Sequence, residues 1–243
     1  KTLLNKNLAS HKLRFVSEPL TKKNASKAKD AEVVSVFVSS KIDKDVLDKL
    51  PNLKLITTRS TGFDHIDLKE CKKRGIAVSY VPGYGDNTVA EFTFGLILNL
   101  TRKIYWAIAT LKKTGRFEFM GLRGTDLKGK TIGVVGTGRI GKEVVRIARG
   151  LDMKILAFDV IQDTEYAEKM GYEYVPLEEL LKQSDIVTLH CPLNKYTTHL
   201  INDKNLKLMK PTAYLINAAR GGIVDTKALV DALRKKKIAG AAL

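Results

Sequence analysis

Short runs of apolar residues recur along the chain, and helical patterns separate them. Most of these runs are of the kind found in parallel strands that are covered on both faces. Two examples of the intervening helical patterns are Asp43–Leu50 and Leu177–Lys182. This alternation predicts an α/β fold with two parallel, Rossmann-like sheets. The predicted strands are Leu13–Ser17, Val33–Val38, Lys54–Thr58, Ala77–Val81, Thr131–Val135, Lys154–Phe158, Ile186–His190 and Ala213–Ile216.

A segment rich in proline and glycine, Val81–Asn87, divides this alternation in two. Such a composition is typical of a hinge, so we predict one domain over residues 1–83 and a second over residues 84–243. The second opens with a helical pattern, Asn87–Lys113, that is apolar on nearly every side. A helix of that kind is buried, and we expect it to lie in a core or in a subunit interface.

The most informative motif follows the fifth predicted strand, where Gly136, Gly138 and Gly141 precede a helical pattern. In a dinucleotide-binding turn, the first glycine allows the tight bend, the second lets the backbone approach a pyrophosphate, and the third lets helix and strand pack closely. The phosphates would meet free N–H groups at the positive end of the helix. We therefore predict a cofactor-binding loop that includes Arg139 and Ile140. The alternative is a glycine-rich turn without a ligand.

An acidic residue completes this fingerprint. The strand Lys154–Phe158 ends in Asp159, at the distance from the glycines where a carboxylate can bond the ribose hydroxyls of the cofactor. A 2′-phosphate would be repelled there, so the sequence predicts NAD rather than NADP.

The formal net charge of +16 over 243 residues allows two interpretations. It suits either nucleic-acid binding or a lysine-rich surface that attracts anionic substrates. The lysines are spread through the chain without interleaved aromatic residues, and no nucleic-acid motif accompanies them. We therefore expect a small anionic substrate and no nucleic-acid partner.

The composition also bears on the compartment. Hydrophobic residues make up 44% of the chain, which is enough for a core. No apolar run reaches the roughly 18 residues of a membrane span, and the first residues lack the apolar part of a signal peptide. Cys71 and Cys191 have no metal-binding spacing. We expect free thiols in a reducing, cytoplasmic environment, with no bound metal and no membrane partner.

Several motifs in a fixed order resemble those of the D-isomer-specific 2-hydroxyacid dehydrogenases, over essentially the full length of the chain. The residues from Val81 to Tyr84 look most similar to the D-lactate dehydrogenase branch of that family. The resemblance implies a substrate-binding domain, then an NAD-binding domain with a dimerisation helix, and a homodimer. The matching segments are Arg59–Asp67, Val89–Glu91, Gly136–Gly141, Asp185–Leu193, Thr198–Ile201 and Leu215–Asp225.

The resemblance also implies substrate-binding residues. Arg220 would hold the carboxylate of a 2-oxo acid and polarise its carbonyl oxygen. The backbone amides of Thr61 and Gly62 would hold the same carboxylate, and Tyr84 would place a hydroxyl nearby. The alternatives are an ordinary ion pair for Arg220, a plain turn at Thr61–Gly62 and a packed aromatic at Tyr84.

On the cofactor side, the resemblance implies that Cys191 and Pro192 line the adenine end, with the thiol as a packing group. Thr197 would be a further cofactor contact, or else the N-cap of a helix before His199. Ala218 and Ala219 would pass under the nicotinamide, where small side chains let the ring lie close.

The proton donor of the family, a histidine paired with a glutamate, lies downstream of the strand that ends at Leu243. Of the four histidines here, His65 and His190 are the nearest candidates, and both fit local structural roles better. The strand Ala239–Leu243 stops in mid-pattern, and no strand precedes Leu13. We therefore expect the 243 residues to be part of a longer enzyme whose acid/base pair is not among them. The alternative is a natural product that is truncated and inactive.

These observations favour an NAD-dependent 2-hydroxyacid dehydrogenase whose particular acid the sequence does not define. The alternative is an NAD(H)-sensing, corepressor-like binding protein on the same fold. A methyltransferase that binds S-adenosylmethionine would share the glycine loop but would not explain Asn217–Gly222 or the Thr61–Gly62 loop.

Overall fold

The structure, a computed structural model, describes all residues from Lys1 to Leu243. The chain divides into two compact units, Lys1–Tyr84 and Gly85–Leu243. The division lies one residue after the boundary predicted between residues 83 and 84.

The first unit is built on a three-stranded parallel sheet with the order β1-β2-β3. Its core consists of strand residues such as Val34, Val36 and Ile56, packed with Val46 and Leu47 of a short helix. The elements are α1 (Thr2–Asn7), a 3₁₀ turn (Ala25–Ala28), β1 (Val33–Val36), α2 (Lys44–Leu47), β2 (Leu55–Thr58), α3 (Leu68–Lys73) and β3 (Ala77–Ser79).

The strand predicted at Leu13–Ser17 is absent, and this prediction was wrong. Phe15 and Val16 are exposed rather than buried. A short apolar run becomes a strand only where a neighbouring strand and a covering layer bury it. The same sheet also ends earlier than predicted on β1 and β3, because Phe37, Val38, Tyr80 and Val81 are exposed beyond it.

The second unit contains six parallel strands with helices on both faces. The elements are α4 (Asp86–Thr101), α5 (Ile104–Thr114), β4 (Thr131–Val135), α6 (Arg139–Gly150), β5 (Lys154–Phe158), α7 (Thr164–Met170), β6 (Glu173–Tyr174), α8 (Leu177–Gln183), β7 (Ile186–Leu189), α9 (Asp203–Leu206), β8 (Tyr214–Asn217), a 3₁₀ turn (Gly221–Ile223), α10 (Thr226–Arg234) and β9 (Gly240–Ala242).

The strand order of this sheet is β6-β5-β4-β7-β8-β9, and every neighbouring pair is parallel. The chain builds outward from β4 in one direction and then from β7 in the other, which is the doubly wound order. The topological switch point therefore lies between β4 and β7. The carboxyl ends of both strands face the same edge of the sheet, where such folds bind their ligands.

Burial on both faces explains why these strands read as continuous apolar runs. Along β7, Ile186 packs on the side covered by α4 and α6, while Val187 and Leu189 pack on the side covered by α8, α9 and α10. All four residues of β7 are buried. The alternation predicted from the sequence is confirmed by the parallel sheets, although β6 is an additional strand of only two residues.

The long helix predicted at Asn87–Lys113 is two helices. The chain breaks after α4 at Arg102–Lys103, where Lys103 takes a left-handed conformation with φ 55°. Helix α4 buries Ala90, Phe94 and Ile97, but α5 buries no residue. The expected burial thus holds for α4 only. None of the helices is both long enough and apolar enough to cross a membrane.

Candidate active site

The glycine loop joins β4 to α6 at the switch point. Gly136 has φ 97°, and a Cβ at this position would lie 2.6 Å from the backbone nitrogen of Cys191. A Cβ at Gly141 would lie 2.0 Å from the carbonyl oxygen of Gly136. Neither position has room for a side chain, because the backbone after β7 lies against Gly136 and the first turn of α6 packs against the end of β4 at Gly141.

Gly138 lies at the N-cap of α6 and has open space around its Cα on the side where a Cβ would be. No side chain caps this helix, so its first N–H groups have no side-chain partner. An anionic group such as a pyrophosphate fits this position, both sterically and with the helix dipole. Of the two other predicted loop residues, Arg139 pairs through Nε with Asp86 at 2.6 Å, and Ile140 is half-buried.

Asp159 lies directly after β5, beside this loop. Its Oδ2 accepts hydrogen bonds from the backbone N–H of Thr137 at 2.6 Å and from the Thr137 hydroxyl at 3.2 Å. Its Oδ1 accepts from the backbone N–H of Ile161 at 3.1 Å. The carboxylate is therefore held by protein donors on both oxygens. Thr137 was not predicted as a site residue, although it stands between the first two glycines of the motif.

The segment after β7 forms the other side of the switch point. Burial raises the pKa of the Cys191 thiol to about 11, so the thiol stays protonated at neutral pH and is a poor nucleophile. Pro192 is exposed, and its carbonyl oxygen accepts a hydrogen bond from the Thr197 hydroxyl at 2.6 Å. Thr197 also accepts from the N–H of Asn194 at 2.8 Å. It lies in a turn, and the alternative of a helix N-cap at this position was wrong.

His190 precedes this segment and is a buried, neutral imidazole. Its Nε2 lies 2.8 Å from the hydroxyl of Thr188, while its buried Nδ1 has no hydrogen-bond partner. Loss of solvent lowers the pKa of His190 to about 4. A ring in this state lacks the acidic second proton of an imidazolium near neutral pH and is a poor general acid, in agreement with the structural role expected for it.

Arg220 lies in the loop after β8, on the same edge of the sheet. The Asn217 side chain shapes this loop, because its Nδ2 donates to the carbonyl oxygen of Arg220 at 2.9 Å and its Oδ1 accepts from the N–H of Ala219 at 3.1 Å. Arg220 lines a cavity of about 150 Å³ together with Gly221 and Thr226. Ala218 and Ala219 are half-buried. Asn217 was not among the predicted site residues, although it begins their motif.

In the first unit, the predicted substrate residues follow β2. The Thr61 hydroxyl donates to the carbonyl oxygen of Val81 at 3.0 Å, and the buried Ser60 hydroxyl donates to the carbonyl oxygen of Gly62 at 2.7 Å. Tyr84 is 60% exposed. The structure thus gathers the predicted cofactor residues and Arg220 at one sheet edge of the second unit, whereas Thr61, Gly62 and Tyr84 belong to the first unit.

Comparison with known proteins identifies the family. Residues 94–243 match the family model described as "D-isomer specific 2-hydroxyacid dehydrogenase, NAD binding domain". The chain belongs to the D-isomer-specific 2-hydroxyacid dehydrogenase family. The prediction of this family and of NAD as the cofactor of the second unit is confirmed.

Two relatives and one solved structure show the extent of the match. The chain is 48% identical to a glyoxylate reductase from Thermofilum pendens over 220 residues, covering 88% of this chain and 65% of the relative. It is 42% identical to the D-lactate dehydrogenase kk1H of Curvularia clavata, covering 95% of this chain and 66% of the relative. A crystal structure of D-lactate dehydrogenase from Aquifex aeolicus with NAD and lactic acid shares 40% identity at a TM-score of 0.92 and covers 99% of this chain and 72% of that one.

The chain therefore spans about two thirds of the length of these dehydrogenases and reductases. Their names favour the enzymatic interpretation, and none of the three supports the corepressor-like alternative. Family members act on small 2-hydroxy acids, which agrees with the expected class of substrate.

Proposed function

We propose that the protein is an NAD-dependent oxidoreductase that transfers a hydride between NADH and C2 of a 2-oxo acid. The observation that carries the proposal is that Arg220 and the glycine loop lie at the same carboxyl edge of one parallel sheet, after β8 and β4, with only β7 between these two strands. Family membership supports the same reaction.

The loop residues would hold the cofactor. Gly138 and the N-terminus of α6 suit the pyrophosphate, since the space beside Gly138 is open and the helix is uncapped, while Gly136 makes the tight turn that leads to them. Asp159 has lone pairs left for the ribose hydroxyls after its bonds to the loop. Bound NADH supplies the hydride; the protein's part is to hold both reactants and the charge that develops on the substrate oxygen.

Arg220 would orient the 2-oxo acid and stabilise the negative charge that develops on its oxygen. A guanidinium can hold a carboxylate through two parallel N–H donors and can also stabilise negative charge on the carbonyl oxygen as it becomes an alkoxide. The Asn217 side chain fixes the backbone that carries it. In the first unit, the N–H groups of the Thr61–Gly62 loop are suited to the substrate carboxylate, and Tyr84 offers an accessible hydroxyl. The proton donor is expected to be a histidine paired with a glutamate, as in the family.

A substrate panel tests this function. We expect NADH to be oxidised in the presence of small 2-oxo acids such as glyoxylate or pyruvate, and NAD to be reduced with D-lactate but not with L-lactate. The L-isomer is the matched control, because it differs only in the configuration at C2 and therefore in the direction in which the transferable hydrogen points. Binding of NADH without turnover of any 2-oxo acid by the whole enzyme would favour the corepressor-like alternative instead.

We further propose a homodimer formed through α5 and the segment after it. Helix α5 exposes Tyr105, Trp106 and Leu111, and it is followed by Phe117 and Met120, each 83% exposed. Several large apolar side chains exposed on one helix and the segment after it are typical of an interaction site. Sedimentation should give twice the chain mass of 27.0 kDa, and Trp106→Asp should give a monomer. Lys182→Asp on α8, an exposed position outside α5, is the control and should leave the dimer intact; a monomeric unsubstituted protein would refute the proposal.

The remaining expectations concern the surroundings of the enzyme. The partner should be a small acid and not a nucleic acid, since the +16 charge is spread over the chain. A reducing cytoplasm suits the two free thiols, Cys71 and Cys191.

A further inference from the structure

A line of hydroxyl groups lies behind the glycine loop and ends on the carboxylate of Asp159. The Thr137 hydroxyl is 3.2 Å from Asp159 Oδ2 and 2.8 Å from the phenolic oxygen of Tyr174. The Tyr174 oxygen is in turn 3.2 Å from the phenolic oxygen of Tyr172. Thr137 belongs to the loop itself, whereas Tyr174 lies on β6 and Tyr172 directly before it.

Counting protons gives this line one direction. An ionised carboxylate only accepts, so the single proton of the Thr137 hydroxyl points to Asp159. Tyr174 must then donate to Thr137. The Tyr174 oxygen also accepts from the backbone N–H of Asp163 at 3.2 Å, and its own proton is already used, so Tyr172 must donate to Tyr174. Every hydroxyl therefore donates toward the carboxylate.

The line is built into packed structure. Thr137 and Tyr172 are buried, and the ring of Tyr172 contacts those of Tyr166 and Tyr174 edge-on at centroid distances of 6.3 and 5.4 Å. Burial, with the hydrogen bond to Tyr174, raises the pKa of the Tyr172 phenol, so it remains a protonated donor. Asp163, whose N–H bonds Tyr174, also caps α7 and pairs with Lys142 of α6.

The arrangement leaves part of the carboxylate available. Asp159 accepts three hydrogen bonds from the protein, two on Oδ2 and one on Oδ1. A carboxylate has about four acceptor sites, so at least one remains for a hydroxyl of the cofactor. Because donors fix both oxygens, the remaining site has a defined direction.

We propose that Thr137, Tyr174 and Tyr172 form a positioning relay that holds Asp159 for the ribose of NAD and thereby contributes to the choice of NAD over NADP. These residues act through Asp159 and need not contact the cofactor. The inference rests on the proposed binding of NAD(H) to this unit. A loosened carboxylate would bond the ribose hydroxyls less well and would no longer be fixed where a 2′-phosphate must lie.

The relay predicts a specific pattern of binding constants, measured by calorimetric titration of the protein with NADH and with NADPH. Tyr174→Phe removes the donor to Thr137 and should weaken NADH binding about fivefold, the usual size of one net hydrogen bond, without weakening NADPH binding. Thr137→Val should have a similar effect, and Thr137→Ser, which keeps the hydroxyl, should restore NADH affinity. These two variants test the relay even if Tyr174→Phe does not fold.

Tyr166→Phe is the matched control. Tyr166 belongs to the same aromatic cluster, but its hydroxyl donates to the carbonyl oxygen of Lys142 at 3.3 Å and lies outside the relay. It should leave the ratio of NADH to NADPH affinity unchanged. In a second control, Tyr174→Phe is combined with Asp159→Ala, where its effect on NADH binding should disappear because the residue it acts through is gone.

Two results would overturn the relay while leaving the proposed function intact: selective NADH binding that Tyr174→Phe and Thr137→Val leave unchanged, or an equal loss of affinity for both dinucleotides that persists in the Asp159→Ala background. If the unsubstituted protein binds neither dinucleotide, the proposed function fails, and the relay fails with it.

Discussion

Two ligand-binding loops are proposed, one after β2 in the first unit and one after β4 in the second. Hydroxyl groups stabilise both loops by hydrogen bonds, but the final acceptor of those bonds differs. In the second unit the final acceptor is the charged carboxylate of Asp159. In the first unit, Ser60 donates to the carbonyl oxygen of Gly62, and the Thr58 hydroxyl lies 2.6 Å from that of Ser60. Since the single hydroxyl proton of Ser60 is donated to Gly62, the Thr58 hydroxyl must donate to the Ser60 oxygen.

The same count makes His65 the donor to Thr58. Its Nε2 lies 3.2 Å from the Thr58 hydroxyl, whose proton is already used, so Nε2 carries a hydrogen and donates. The first unit thus has a line from His65 through Thr58 and Ser60 to a neutral carbonyl oxygen. Both Thr58 and Ser60 are buried.

The difference follows from what each loop is proposed to bind. In the second unit, the pyrophosphate would meet the N-terminus of α6, so a carboxylate can lie at the ribose, where hydroxyl donors are wanted. The loop of the first unit would itself receive a substrate carboxylate. A fixed negative charge immediately behind that loop would repel the ligand, whereas neutral hydroxyls stiffen the backbone without opposing it.

The largest expected effect comes from placing a charged group behind the neutral loop. Ser60→Asp would bury a carboxylate among hydroxyl groups, and we expect it to lower the free energy of unfolding by more than about 3 kcal/mol. Ser60→Ala, which leaves the Thr58 hydroxyl without its acceptor, should cost about 1–3 kcal/mol. Urea denaturation measures both.

Ser79→Asp on β3 is the control for this prediction, because Ser79 is exposed and should tolerate the same charge with little loss. If Ser60→Asp were no more destabilising than Ser79→Asp, the buried neutral line would have no role in holding the loop.

The second largest effect concerns Arg220, the proposed substrate-binding residue of the second unit. In the whole enzyme, Arg220→Lys should reduce kcat/KM for a 2-oxo acid about 100-fold or more, because an ammonium cannot replace the two-pronged contact beside the reacting oxygen. NADH affinity should hardly change. Steady-state kinetics and NADH titration of the same variant separate the two. A loss of NADH affinity as large as the loss of kcat/KM would mean that Arg220 serves the cofactor.

The comparison also shows what the sequence could predict. The segment from β4 through α6 to β5 was predicted with its two strands exact, because its apolar runs are buried on both faces and Gly141 is required locally by its close contact with the Gly136 carbonyl oxygen. The family was recognised from several short motifs in a fixed order along the chain, of which this glycine loop is one. Each motif could be read from consecutive residues without knowledge of its distant contacts.

The elements that the sequence missed depend on distant contacts. Strand β6 has two residues, and it exists through its pairing with β5. The contact of Thr137 with Tyr174 joins residues 37 positions apart, so no local pattern predicts it. The break between α4 and α5 lies in an apolar helical pattern and depends on one residue in the left-handed conformation, Lys103. A lysine side chain gives no sequence signal for that conformation.

The third prediction concerns the pH dependence of stability that the buried His190 causes. Burial lowers the pKa of His190 to about 4 in the folded protein, below the usual value of 6.5, so the folded state favours the neutral ring. Between pH 6.5 and 4 the unfolded chain binds the proton and the folded chain does not, so stability falls as the pH falls. We expect a loss of about 2 kcal/mol between pH 7.5 and 5.

His190→Gln, which cannot titrate, should lose much less stability over the same interval when urea denaturation is repeated at both pH values. The relevant window lies above the range of the carboxylates, whose stabilising pairs, such as Asp185 with Lys210, are lost only at lower pH. An equal pH dependence in the two proteins would show that His190 is not the group responsible.

The smallest expected effect concerns the Asp159 carboxylate and the preference for NADH over NADPH. A 2′-phosphate beside the Asp159 carboxylate is repelled and leaves an acceptor of the ribose site unpaired, so the unsubstituted protein should prefer NADH over NADPH by at least about tenfold. Asp159→Asn keeps the shape and removes the charge, and Asp159→Ala removes both. Each should narrow the preference, chiefly through tighter NADPH binding in the first and weaker NADH binding in the second. Titration of both dinucleotides decides this, with Asp152→Asn as the control, because Asp152 carries the same charge at an exposed turn and pairs only with Lys128. Equal affinities in the unsubstituted protein, or tighter NADPH binding, would mean that the three protein hydrogen bonds on Asp159 serve the loop and not the choice of cofactor.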